Sequence, residues 1–308
     1  MVFRILISDK MEGPLTEVFD KAGISYDVSV GLSPEELEKI IGNYDGQVVR
    51  SATKVTAAIL SKGKAGSLKV VGRAGAGLDN IDVQAAKDLG IRVLNTPGLN
   101  ANAVAELTVS YCFILARDLY RALNSLKDGR WEKKSLSGSE LRGKTMGLVG
   151  FGHIGRLVAQ KARGLGMNVT AYDPVVPGEV IERFGARPEK LETVYRESDF
   201  VSLHLPQEKE TLGMINYQVL SRFKKTAFLI NCARGGLVNE ADLHRALAEN
   251  LIAGAAADVF QKEPPEGSPL LKLPNFVASP HIGAATEEAQ LGVARKIAEL
   301  MVEYLSGL

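Results

Sequence analysis

Residues 144–173 read KTMGLVGFGHIGRLVAQKARGLGMNVTAYD, and the fold of the chain turns on how this stretch behaves. The continuous apolar run over 146–149 has the character of a buried strand, and Gly150, Gly152 and Gly155 follow it directly. Ile154, Leu157, Val158, Ala162 and Leu165 then recur at helical spacing. The pattern predicts strand, glycine turn, helix. A turn that presses its backbone against a pyrophosphate needs glycine where a Cβ would collide, and the N-terminus of the next helix offers unpaired N–H groups and partial positive charge. A second strand over 168–172 leads into Asp173, 18 residues past Gly155. An acid at that spacing hydrogen-bonds a ribose 2′-hydroxyl and repels a 2′-phosphate, so NAD is expected rather than NADP.

Further strands are predicted over 200–203, 227–231, 252–257 and 276–279, with a helix over 240–249. In open α/β sheets ligands sit outside the C-terminal ends of the strands. At those ends stand Cys232-Ala233-Arg234-Gly235-Gly236, then Asp258 with Glu263 five residues on, then Pro280-His281-Ile282-Gly283. One cation, two acids and one imidazole therefore converge on the expected cofactor crevice. Oxidation of a 2-hydroxy acid needs a base for the hydroxyl proton while hydride leaves the same carbon, and His281 suits that work. Glu263 is placed to orient its ring. Arg234 has a planar fork for a carboxylate and a 2-oxo group. Asp258 is placed to accept from the nicotinamide carboxamide. The other histidines, His153, His204 and His244, read as structural.

Before residue 100, strands are predicted over 3–7, 25–30, 46–50, 68–72 and 91–94, with helices over 14–22, 33–41, 57–62 and 83–89. Strand and helix in alternation imply a doubly wound, mostly parallel sheet. Arg50 ends one of these strands and Arg73 follows another. With the backbone of Gly75-Ala76-Gly77 they suit a dianionic phosphate, and exposed salt bridges are the plain alternative. The turn Asn95-Thr96-Pro97-Gly98 reads as a hinge. A long helix is predicted over 101–126, too apolar for an open surface and so expected to be buried between domains or subunits. Trp131 reads either as an anchor at a subunit contact or as core. The final helix, 286–305, is expected to return to the first sheet. Two α/β domains follow: 1–97 with 287–308 as a substrate domain, and 98–286 as the dinucleotide-binding domain.

Global properties bound the function. Lys and Arg number 37 against 36 Asp and Glu, which argues against a broad nucleic-acid or membrane surface. Two cysteines form neither a disulfide framework nor a metal-ligand pattern, and the N-terminus MVFRILISD lacks signal-peptide character. A cytoplasmic protein is expected.

The segments VRSATKVT, VGRAGAGLDNID, NTPGLNANAVAELT, KDGRWEKK, LVGFGHIG, NCARGGLVNE, DVFQKEPP and SPHIGAAT resemble the D-2-hydroxyacid dehydrogenases, most of all the branch that oxidises 3-phosphoglycerate. The resemblance runs along nearly the whole chain. It implies a Rossmann domain and a flavodoxin-like substrate domain, NAD as cofactor, and entry to serine synthesis. It carries the catalytic Arg, Glu and His onto Arg234, Glu263 and His281, and substrate contacts onto Arg50, Ser51, Arg73, Gly75, Ala76, Arg234 and His281. Cofactor contacts are expected from Gly150, Gly152, His153, Ile154, Gly155, Asp173, Leu205, Pro206, Cys232, Ala233, Arg234, Asp258, His281, Gly283 and Ala284. It implies a homodimer through the 101–126 helix and the segment after it, with Lys133 or Lys134 reaching the neighbour's substrate. Longer relatives carry a C-terminal ACT regulatory domain, and a short form without it is expected here. A glyoxylate or hydroxypyruvate reductase and a dinucleotide sensor like the C-terminal-binding corepressors share these features and stay open.

Overall fold

The computed structural model describes residues 3–11 and 13–308. The chain forms two units, residues 1–100 with 285–308 and residues 101–284, and crosses between them twice. In the first unit the order is β1 (Arg4–Ile7), α1 (Pro14–Lys21), β2 (Ser25–Val28), α2 (Pro34–Ile40), β3 (Gly46–Val49), α3 (Ala57–Ala65), β4 (Val70–Arg73), α4 (Val83–Asp88) and β5 (Arg92–Asn95). Ser33 and Glu36 form a reciprocal capping box at the start of α2, with Pro34 in its first turn. Among the described residues this unit has a five-stranded parallel sheet in the order β2-β1-β3-β4-β5. That order reverses between β1 and β3, so the ends of those strands mark the ligand-binding edge of a flavodoxin-like sheet.

The second unit contains α5 (Ala101–Arg117), α6 (Leu119–Lys127), β6 (Thr145–Val149), α7 (His153–Gly164), β7 (Asn168–Tyr172), α8 (Gly178–Arg183), β8 (Arg187–Pro188) and α9 (Leu191–Glu197). It continues through β9 (Phe200–Leu203), α10 (Tyr217–Leu220), β10 (Phe228–Asn231), α11 (Glu240–Ala248), β11 (Gly254–Ala257) and β12 (Phe276–Ala278). Its sheet of seven described strands is parallel throughout, in the order β12-β11-β10-β9-β6-β7-β8. The reversal lies between β6 and β9, directly above the glycine turn.

The helix predicted over 101–126 is two helices. They part at Asp118, whose left-handed backbone (φ 46°) interrupts the hydrogen-bond ladder. The apolar face of α5 finds its cover within the second unit, where Val104, Ala105, Tyr111 and Cys112 pack with α7 and the central strands. Trp131 is 79% exposed and is not core.

The last helix, α12 (Glu287–Ser306), lies on the first unit's sheet, with Val293, Ile297 and Met301 on one stripe. It approaches closely because β3 and β4 offer glycines there. A Cβ on Gly72 would stand 2.5 Å from Met301 Sδ, and one on Gly46 would stand 2.8 Å from Met301 Cε. Burying Ile297 and Met301 stabilises the docking by about 1.5–3 kcal/mol each. Among the described residues no helix is long and apolar enough to cross a membrane.

Candidate active site

Gly150, Gly152 and Gly155 are glycines for two different reasons. Gly150 has φ +101°, and a Cβ there would lie 2.6 Å from the His204 carbonyl at the end of β9. A Cβ on Gly155 would meet Gly150 O at 2.4 Å, so α7 packs hard against the turn. The chain itself therefore requires these two. Gly152 differs, because a Cβ there meets nothing within 4 Å and its φ is an ordinary −72°. No side chain caps α7 at Gly152, which leaves the first-turn N–H groups facing that open space. Uncapped amides beside a cradle that a Cβ would fill are what a dinucleotide pyrophosphate fits. Exposed His153 and half-buried Ile154 open the helix beside it.

Asp173 follows β7 and is half-buried. Its Oδ2 accepts from Phe151 N at 2.6 Å, and its Oδ1 accepts from Val175 N and Val176 N at 2.8 and 2.9 Å. A carboxylate offers about four acceptor positions, so one remains on Oδ2 for a ribose hydroxyl. Asp173 thus ties the glycine turn to its own loop.

The parallel register sets the ends of β10, β11 and β12 side by side. From these ends come Arg234, Glu263 and His281. Glu263 Oε2 lies 2.7 Å from His281 Nδ1, and Glu263 Oε1 accepts from Phe260 N at 3.1 Å. The two side chains are about half exposed, at 51% for His281 and 38% for Glu263. Arg234 is placed by its backbone. Asn231 accepts from Ala233 N and donates to Arg234 O at 2.9 Å. A Cβ on Gly235 would fall 1.9 Å from the Phe260 carbonyl, so only glycine lets the loop after β10 touch the loop after β11. Arg234 Nη1 donates to Ala233 O at 2.8 Å.

Asp258 is also tied to partners within the protein. It is 1% exposed, and its Oδ1 accepts from Ile282 N at 2.8 Å and from the Ser279 hydroxyl. Its Oδ2 accepts from Gly283 N at 2.7 Å. Asp258 is first a fastener for the loop that carries His281, with one acceptor position left on Oδ2 for a carboxamide. The Gly283 amide is likewise committed to Asp258. The Cys232 side chain is buried, and burial pushes its thiol up to about 12, which leaves only its backbone to meet a cofactor. Leu205 and Ala284 are half-buried, Pro206 is exposed and Ala233 is buried.

The first unit holds the arginine loops. Asp9, 4% exposed at the end of β1, accepts from Arg50 N, Thr53 N and Thr53 Oγ1. Asn80 donates from the other side to Arg50 O and Thr53 O, each at 2.7 Å. The loop Arg50-Ser51-Ala52-Thr53 is thereby clasped at both ends. In the loop after β4, Gly75 has φ +142°, and a Cβ there would stand 1.5 Å from Arg73 Nη1. The Arg73 guanidinium lies folded over this glycine. Thr96 N donates to Gly75 O, and Asn95 Nδ2 to Ala76 O at 2.7 Å. Among the described residues the N–H groups of Gly75, Ala76 and Gly77 donate to no protein acceptor, which suits an anion.

Sequence reasoning missed Asp9, Asn80 and Asn95. Asp9 and Asn95 stand at or just beyond a strand's C-terminal end, and that position was the available signal; Asn80 lies seven residues past β4, where no such signal exists. Tyr111 and Ser279 were also missed, and nothing local announces their partnership.

The family model described as "D-isomer specific 2-hydroxyacid dehydrogenase, NAD binding domain" matches residues 109–283, within the second unit. A D-3-phosphoglycerate dehydrogenase of Methanocaldococcus jannaschii is 42% identical over 305 residues, which is 99% of this chain and 58% of that protein. The chain therefore spans well under two thirds of that relative. A hydroxypyruvate reductase of Thermotoga maritima is 44% identical over 311 residues, 98% of both chains. Among solved structures, NAD+-bound 3-phosphoglycerate dehydrogenase of Entamoeba histolytica superposes with a TM-score of 0.83 at 29% identity, covering 99% of this chain and 96% of that one.

Proposed function

We propose, from the premise that this chain belongs to the D-isomer specific 2-hydroxyacid dehydrogenase family, that it oxidises D-3-phosphoglycerate to 3-phosphohydroxypyruvate with NAD, using His281 as the acid–base group. NAD is the cofactor of the matched domain, and when bound it supplies the hydride acceptor. The 2.7 Å pair of Glu263 and His281 carries the reading. A carboxylate only accepts, so Nδ1 holds the proton and Nε2 keeps its lone pair. Nε2 can then take the hydroxyl proton of the substrate as the same carbon gives up hydride, and the Glu263 charge favours the imidazolium formed. Arg234 holds the substrate carboxylate and the developing 2-oxo group. Arg50 and Arg73, with the open amides of Gly75 and Ala76, take the phosphate.

A hydroxypyruvate reductase is the second reading, favoured by the 44% identity over 98% of both chains. It needs Arg234, Glu263 and His281 but no phosphate contact. The two separate on a panel of 2-hydroxy acids with NAD, read as NADH formation. Losing one charge-assisted contact costs about 1.5–3 kcal/mol, so Arg50→Ala raises KM for 3-phosphoglycerate roughly ten- to a hundredfold and leaves KM for glycerate nearly unchanged. Equal turnover of glycerate and phosphoglycerate by the unaltered protein establishes the second reading. Silence with every acid favours a dinucleotide sensor.

The chain is further proposed to work as a homodimer in the cytoplasm. Leu119, Leu123 and Leu126 form an exposed stripe on α6, beside Tyr120 and near Trp131. Such a patch marks a protein contact. Light scattering on the purified chain tests it, and a monomer at micromolar concentration refutes it.

A further inference from the structure

The loop that carries His281 is not held by its own residues. His281 has a left-handed backbone (φ 53°), a conformation that an L side chain adopts only when its surroundings impose it. Its N–H donates to Asp258 O at 2.8 Å, and the next two amides, Ile282 and Gly283, donate to the Asp258 carboxylate. Asp258 in turn accepts from the Ser279 hydroxyl. Ser279 Oγ lies 2.5 Å from the hydroxyl of Tyr111, a residue of α5 that is 2% exposed.

Counting protons sets the direction of this chain. Ser279 has one hydroxyl proton, and Asp258 takes it. Tyr111 is therefore the donor in its contact with Ser279, with Ala257 O as a second, longer acceptor at 3.3 Å. Burial pushes the Tyr111 phenol well above its ordinary range, so it remains a donor wherever the protein is folded. Such a chain strengthens each member, since a serine hydroxyl that accepts a hydrogen bond donates a stronger one.

We infer that Tyr111 is a positioning residue for His281, acting through Ser279 and Asp258 to hold residues 281–283 in the conformation that presents the imidazole. The inference rests on the proposed function for the role of His281, but the anchoring itself does not. Tyr111 touches neither reacting atom. Its reach is to the backbone on which the proton acceptor sits, from a helix some 170 residues earlier in the sequence.

The experiment compares the full chain with Tyr111→Phe, Ser279→Ala, the double variant and Ser279→Thr. Two readouts are taken: hydrogen exchange at the Ile282 and Gly283 amides without ligand, and steady-state kinetics with the best 2-hydroxy acid. Tyr111→Phe and Ser279→Ala are each expected to speed exchange and to lower kcat about three- to tenfold, with KM and the NAD dissociation constant within about twofold. The double variant is expected to be no worse than either alone, and Ser279→Thr to recover most of kcat. Unchanged exchange at 282–283 overturns the inference, as does lost thermal stability with kcat intact. If the unaltered chain turns over no acid, the proposed function fails while the exchange result still decides whether Tyr111 anchors the loop.

Discussion

Glu263 Oε2, in the segment that follows β11, stands 2.7 Å from His281 Nδ1, in the segment that follows β12. The carboxylate thereby selects which imidazole nitrogen carries the proton. Glu263→Gln keeps the shape but loses the charge, and its amide can present N–H groups to Nδ1 and turn the tautomer. We expect kcat to fall roughly ten- to a hundredfold, with NADH binding by fluorescence titration little altered. Near-normal kcat in this variant removes Glu263 from the mechanism.

Gly152 separates a structural glycine from a ligand-facing one. No protein atom lies within 4 Å of where its Cβ would be, so Gly152→Ala is expected to change stability by no more than about 0.5 kcal/mol. NAD affinity is expected to drop at least about tenfold, because the methyl occupies the pyrophosphate's place. Calorimetric titration with NAD and a thermal melt test both halves. Retained affinity would show that the cradle holds no phosphate.

Gly75→Ala tests the second arginine loop. The new Cβ displaces the Arg73 guanidinium, and a residue at φ +142° is strained by about 1–3 kcal/mol. The expected phenotype is that of Arg73→Ala: a raised KM for phosphoglycerate with NAD affinity unchanged. If phosphoglycerate and glycerate lose equally, the loop does not read the phosphate.

His204 sets a pH dependence of stability. Burial of its ring lowers its pKa from 6.5 to about 3; Nδ1 is enclosed and Nε2 lies 3.0 Å from Ser202 Oγ. Between those pH values the unfolded chain binds a proton that the folded chain refuses. This contribution is therefore complete above pH 6.5 and is lost on acidification, with a slope approaching about 1.4 kcal/mol per pH unit. Urea unfolding at pH 7 and pH 5 should show the unaltered chain losing about 2 kcal/mol more than His204→Gln. Equal losses in both would refute the assignment.

Much of the architecture was legible because helical and strand periods are local. Residues 144–173 announced a strand, a glycine turn, a helix and a second strand, and the structure has β6, α7 and β7 there. Short elements escaped notice: β8 has two residues, and α8, α9 and α10 run four to seven residues, too short for an apolar period to show. The break at Asp118 was hidden because the residues on either side continue the helical pattern while the backbone of this one residue departs from it.

The sequence by itself determined two alternating α/β units, the glycine turn and the residue types waiting at strand ends, since these follow from periodicity and from the steric demands of glycine. Only the tertiary structure decided what each polar group is bonded to: that Asp258 fastens the His281 loop, that Asp9 and Asn80 clasp Arg50, and that Tyr111 reaches Ser279. Hydrogen-bond partners depend on which strand ends are neighbours, and in a parallel sheet those neighbours are set by crossovers that bring together residues far apart in the chain.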